Sequence, residues 1–67
     1  MTDLREYDVV VVTHSRHPHL REGMIGTIVL VLDAAAKVFE VEILDERKTS
    51  LGTFTIAGAD LAPWRAP

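Results

Sequence analysis

The most regular stretch of the chain is Val38-Phe39-Glu40-Val41-Glu42-Ile43-Leu44. Phe39, Val41 and Ile43 alternate with Glu40 and Glu42, and that period of two predicts a strand with one buried face and one charged face. Four consecutive charges, Asp45 to Lys48, then read as a hairpin tip. From Thr49 to Ile56 the β pattern resumes, with Phe54 and Ile56 inward, Thr53 and Thr55 outward, and Gly52 at a bulge or bend. Nearer the start, Tyr7 to Thr13 contains four valines in a row, Val9 to Val12. Branching at Cβ favours the pleated conformation, so this is a first strand. Tyr7, Val9 and Val11 share one face and Asp8, Val10 and Val12 the other.

The remaining segments connect these strands. His14 to Glu22 carries three histidines, two arginines and Pro18, with Leu20 as its apolar residue, and predicts a long polar loop. Gly23 and Gly26 bracket a turn in which each is free to take positive φ. The run after Gly26, to Leu32, is apolar on both faces, as in a central strand or one at a barrel's bend. Asp33 to Lys37 is too short for an independent helix. Ala57 to Leu61 suits a single 3-10 turn, and Leu61 to Trp64 a closing strand that Pro63 confines to an edge. Arg65 to Pro67 reads as a frayed end. The expected fold is all-β: a single five-stranded SH3-like barrel with a short 3-10 turn before the last strand. Its domain spans 1–67, with a structured core from about 7 to 64. The expected inward set is Val9, Val11, Leu20, Ile28, Val31, Phe39, Val41, Ile43, Phe54, Ile56 and Leu61.

Length and charge narrow the function. At 67 residues the chain makes one small domain, and it has no cysteine with which to build a disulfide or a thiolate zinc site. Such a domain gains from burying further surface in a partner. Ten acids against seven bases give a net charge of −3, which disfavours non-specific binding to nucleic acid and to anionic membranes. The charged N-terminal residues have no apolar stretch of signal-peptide length, so a cytoplasmic protein is expected.

The run Leu20-Arg21-Glu22-Gly23-Met24-Ile25-Gly26-Thr27-Ile28-Val29 resembles the Gly-x-x-Gly-x-Val turn of KOW-type and related SH3-like barrels. A longer arrangement starts at Asp8-Val9-Val10-Val11, passes through that turn to Phe39-Glu40-Val41-Glu42-Ile43, and ends at Leu61-x-Pro63. It is similar to a small bacterial family of stand-alone SH3-like barrels of unknown function. The resemblance covers Tyr7 to Pro63 and departs from the family at Ala34-Ala35-Ala36, where members tend to have a glycine-containing turn. It implies a fold and carries over no catalytic residues.

Several side chains are candidates for partner binding: His14, Arg16, His17, His19 and Arg21 in the loop, and Trp64 near the end of the chain. Imidazoles suit zinc, copper or nickel, but His17 and His19 flank Pro18 in an extended segment, so their side chains are expected to diverge, and no metal site is predicted. Between His14 and Arg21 there is no acid, so the loop is locally positive and becomes more so below a pH of about 6.5. An RNA contact would also need aromatic platforms, which the loop itself lacks. Trp64 suits either a lid over the core or an interaction hot spot. Val10, Val12 and alternate residues of Val29 to Leu32 exceed what one inner face needs and point to an interface. Ser15 has no evident orienting acid, and Glu40 and Glu42 share an open strand face, so no enzyme activity and no cofactor are expected. The expected function is a non-enzymatic protein-interaction module or small accessory subunit that self-associates as a homodimer. The alternative is a KOW-like RNA- or ribosome-associated module using the His14–Arg21 loop.

Overall fold

The structure, a computed structural model, describes residues 4–65. Five strands, β1 (Val9–Val12), β2 (Ile25–Asp33), β3 (Val38–Leu44), β4 (Ser50–Ala57) and β5 (Leu61–Pro63), form one antiparallel sheet in the order β4-β3-β2-β1-β5. A 3-10 turn at Gly58–Asp60 leads into β5, and there is no α-helix among the described residues. None is therefore long and apolar enough to cross a membrane. β4 and β5 are the two edges and do not pair with each other, so the ladder is open. Pro63, which has no N–H to donate, sits in the short edge strand, where that loss is tolerated.

The register stacks the apolar positions in rows across the sheet. Val10 lies opposite Gly26, and Gly26 opposite Ile43. Ile28 lies opposite Val41, which faces Phe54, and Val31 opposite Phe39, which faces Ile56. Leu61 joins from β5 opposite Val12. These rows, with Leu20 from the loop, make the core, and Val31 and Phe54 pack partly buried against it. β2 keeps its apolar residues in the rows by bulging. Two β2 residues oppose one β3 residue between Ile28 and Leu30, and again between Val31 and Asp33. The first bulge spends Val29 and re-aims Leu30 outward, opposite Glu40; the second spends the exposed Leu32 and sets Asp33 opposite Val38, and such bulges bend the strand that carries them.

Two expectations are corrected here. The inward valines are Val10 and Val12, both essentially inaccessible, while Val9 is 41% exposed and Val11 half-buried. A run of identical side chains holds no contrast between its faces, so the phase is set by the partners of β1 instead. Those partners are Gly26 and Leu61, both buried. Nor does Tyr7 extend the strand: its φ is 73° and its side chain is 74% exposed. The chain therefore turns at Tyr7, and the alternation does not carry back through it.

The second correction concerns the glycines. Gly23 does occupy a turn with φ of 92°. Gly26 instead lies inside β2, buried, where a Cβ would meet the Glu42 carbonyl oxygen at 2.5 Å and side-chain carbons of Val41 and Ile43 at 2.9 Å. The residue is there because β2 and β3 approach too closely for any side chain. At the β3–β4 hairpin the Asp45 carboxylate accepts from the Arg47 and Thr49 amides. Leu51 and Gly52 then stand together opposite Ile43 in the bulge expected at Gly52.

Replacing Val10 with Ala should cost about 2 kcal/mol in urea unfolding, whereas Val9→Ala should stay within about 0.5 kcal/mol; equal effects would reverse the assignment of faces. Gly26→Ala should destabilise by at least about 2 kcal/mol, because backbone and two core side chains must move for one methyl group. A neutral Gly26→Ala would mean that β2 and β3 are not this close.

Candidate functional site

The His14–Glu22 loop is built from consecutive tight turns. The Leu20 amide donates to the His17 carbonyl at 3.1 Å, closing a turn with Pro18 at its second position, where proline's fixed φ is suited. The Met24 amide donates to the Arg21 carbonyl at 3.2 Å, closing the next. Ser15 Oγ bonds the carbonyls of His17 and Leu20 at 2.9 and 2.7 Å and ties the first turn down. Leu20 is buried in the core and anchors the loop from below. A segment that reads as polar coil is thus held by one apolar side chain and one hydroxyl.

The turn corrects the expected geometry of the histidines. With Pro18 in a turn rather than an extended stretch, the rings of His17 and His19 approach to 5.6 Å between centroids. The His19 amide donates to His17 Nδ1 at 3.2 Å, so that nitrogen is engaged within the loop. His17 also meets Phe54 of β4 edge-on at 5.0 Å, a favoured aromatic arrangement. No group of three or more His, Asp or Glu side chains suited to a metal is found among the described residues.

The loop's positive charge is also smaller than its sequence suggests. Arg16 Nε donates to Asp60 Oδ2 at 2.9 Å; the carboxylate is nearly buried and the arginine side chain 75% exposed. Asp60 comes from the 3-10 turn, and its carbonyl accepts the amides of Thr13 and His14. One residue therefore fixes both the backbone and a side chain at the loop's start. His14, Arg16 and His17 are brought together with Thr55, Ile56 and Asp60 around a shallow depression of about 160 Å³. His19 lies beside His17, and Arg21 is exposed in the following turn. Trp64 does not join them. Its amide donates to the Val9 carbonyl, which puts it at the opposite end of β1, roughly 10 Å along the strand.

Trp64 belongs to a different surface, the outward face of the sheet. The register runs Ala62, Val11, Ile25 and Leu44 in one row across β5, β1, β2 and β3, all half-buried. Beside it lie Val9, opposite Thr27, and the 39% exposed Trp64. Glu42 ends that second row on β3, with Glu40 beyond it. Their carboxylates accept from the Ser50 and Thr55 hydroxyls at 3.1 and 3.4 Å, and neither forms an ion pair among the described residues. Of the expected apolar surplus, Val10 and Val12 are buried, and Val9 and Val11 face outward in their place; from the Val29–Leu32 stretch, Leu30 and Leu32 are 48% and 46% exposed. An open groove of about 830 Å³, with Leu4, Val31, Phe39 and Leu61 in its lining and Arg5, Glu6 and Lys37 at its charged positions, has no signal in the sequence. Its walls come from distant segments of ordinary core residues, which leave no local signal. Comparison with known protein families, curated proteins and solved structures finds no match to this chain.

Arg16→Ala should cost about 1–2 kcal/mol in chemical unfolding although the side chain is exposed, because it strips a nearly buried carboxylate of its partner. Arg21→Ala should cost less than about 0.5 kcal/mol. Equal effects would show that the Arg16–Asp60 pair holds nothing.

Proposed function

We propose that this protein is a non-enzymatic protein-interaction module that self-associates, built on a five-stranded SH3-like barrel. The barrel reading is supported by the strand order, by the double bulge that bends β2, and by the 3-10 turn that carries the chain from β4 to β5. The interaction reading is carried by one observation: an unbroken apolar row on the outward face of the sheet, flanked by Val9 and Trp64. A face open to water is ordinarily polar along an antiparallel sheet, and contiguous apolar surface marks a contact. Tryptophan at its margin fits a binding anchor better than a lid, since the outward face has no core to cover.

The RNA-binding alternative has less support. Arg16 is neutralised by Asp60, and the one tryptophan stands away from the histidine loop. Sedimentation velocity from about 10 μM to about 1 mM should show a concentration-dependent shift from monomer to dimer, the range over which weak to moderate association is read. A strict monomer throughout, together with salt-dependent binding of single-stranded RNA, would replace this reading with the alternative.

A further inference from the structure

We propose that the free edge of β4 takes up an extended acidic segment of a partner protein as an added strand, its carboxylates turned toward the His14–Glu22 loop. This site is separate from the outward apolar row and does not depend on self-association. β4 is one of the two edges of the sheet. The Gly58 amide donates to the Lys37 carbonyl at 2.7 Å, and the pairing of β3 with β4 continues from there in register. Backbone groups alternate sides along an antiparallel strand, so those of Ile56 and Phe54 face β3. Those of Thr53, Thr55 and Ala57 face away from it, and no other backbone partner reaches them among the described residues. Sheet edges are ordinarily shielded by charge, proline, a bulge or shortness. β5 is three residues long and contains Pro63, whereas β4 beyond its bulge, from Thr53 to Ala57, has no charge and no proline. Open donors and acceptors in such a row bind extended peptides through the main chain, and alternate side chains give specificity.

The surroundings of the edge define those side chains. On the inward side the loop lies against β4: His17 packs on Phe54, and His14, Arg16 and His17 border the shallow depression with Thr55, Ile56 and Ala57. From His14 to Arg21 the loop holds no acid, in a chain of net charge −3. Asp60 engages Nε of Arg16 and leaves the terminal N–H groups of the guanidinium open. Because His17 Nδ1 accepts the His19 amide, the neutral ring carries its proton on Nε2 and is a donor as well. On the outward side Glu40 and Glu42 stand opposite Thr55 and Thr53, and they disfavour further acids there. An added strand therefore fits with a carboxylate at every second position, on the loop side, and uncharged residues between. A second copy of β4 has no carboxylate to offer the loop, so charge complementarity favours a heterologous segment.

The probe is a capped peptide, Thr-Val-Glu-Val-Glu-Val-Thr, titrated into labelled protein and followed by amide resonances, beside a counterpart with lysine in place of glutamate. The acidic peptide should bind at least about tenfold more tightly than the basic one and slow hydrogen exchange at Thr53, Thr55 and Ala57. Thr55→Pro removes an amide that faces away from β3, so its melting temperature should stay close to that of the unaltered chain while affinity for the acidic peptide falls at least about tenfold. Methylating the backbone amides of the peptide's central residues removes edge bonds without altering the protein and should weaken binding as much. If the acidic peptide does not bind at about 2 mM, if both peptides bind equally, or if neither Thr55→Pro nor the methylation weakens binding, the proposal is wrong. Loss of self-association in Thr55→Pro would make a second copy the occupant of the edge and overturn the proposal equally. Sedimentation of the unaltered chain reads self-association separately, and a strict monomer there leaves the peptide result standing.

Discussion

The close approach of β2 to β3 at Gly26 is the constraint on which the rest of this small protein depends. Val10, Gly26 and Ile43 form one row, and the space a side chain would need at its centre is filled by the Glu42 carbonyl and by carbons of Val41 and Ile43. Without a side chain at Gly26, Val10 and Ile43 share one continuous core across the middle strand. A domain of 67 residues buries a small fraction of its surface compared with larger ones, so losing one row matters. The same row fixes which valines face inward. That in turn leaves Val9 and Val11 on the other side, where the proposed contact lies.

The loop and the sheet are separate structural problems with separate solutions. The sheet is held by rows of apolar side chains. The loop is held by Leu20 from below, by Ser15 within, and by Asp60 from the far end of the chain. Asp60 bonds Arg16 through its carboxylate and Thr13 and His14 through its carbonyl. The polar residues that look most functional in the sequence are thus partly engaged in holding their own loop. The apolar surface left over lies instead on the outward face of the sheet, where Val9 is exposed, Val11, Ile25 and Leu44 are half-buried, and the carboxylates of Glu40 and Glu42 form no ion pair among the described residues.

Much of the fold was legible because its signals are local. The alternation of Phe39, Val41 and Ile43 with glutamates marks β3 unambiguously, and the charged tip and the 3-10 turn before Pro63 fall where residue type puts them. The valine run was legible as a strand but not in phase, since four identical residues carry no face preference. Gly26 was misread because glycine serves two purposes, positive φ and close approach, and only the neighbouring strand distinguishes them. The loop's pairing with Asp60 and the contact of His17 with Phe54 join residues far apart in the chain, and no spacing rule reaches that far. For the same reason the apolar row on the outward face emerges only when the register aligns four strands.

The direct measurement is the set of methyl-to-methyl nuclear Overhauser effects in protein labelled at valine, leucine and isoleucine, read with a water-soluble paramagnetic probe at low protein concentration. The account predicts contacts from Val10 to Ile43 and from Val12 to Leu61, with Val9 strongly relaxed by the probe. Contacts of Val9 and Val11 to Ile43 and Leu61, with Val10 relaxed by the probe, would contradict it, reversing the phase of β1 and with it the row through Gly26.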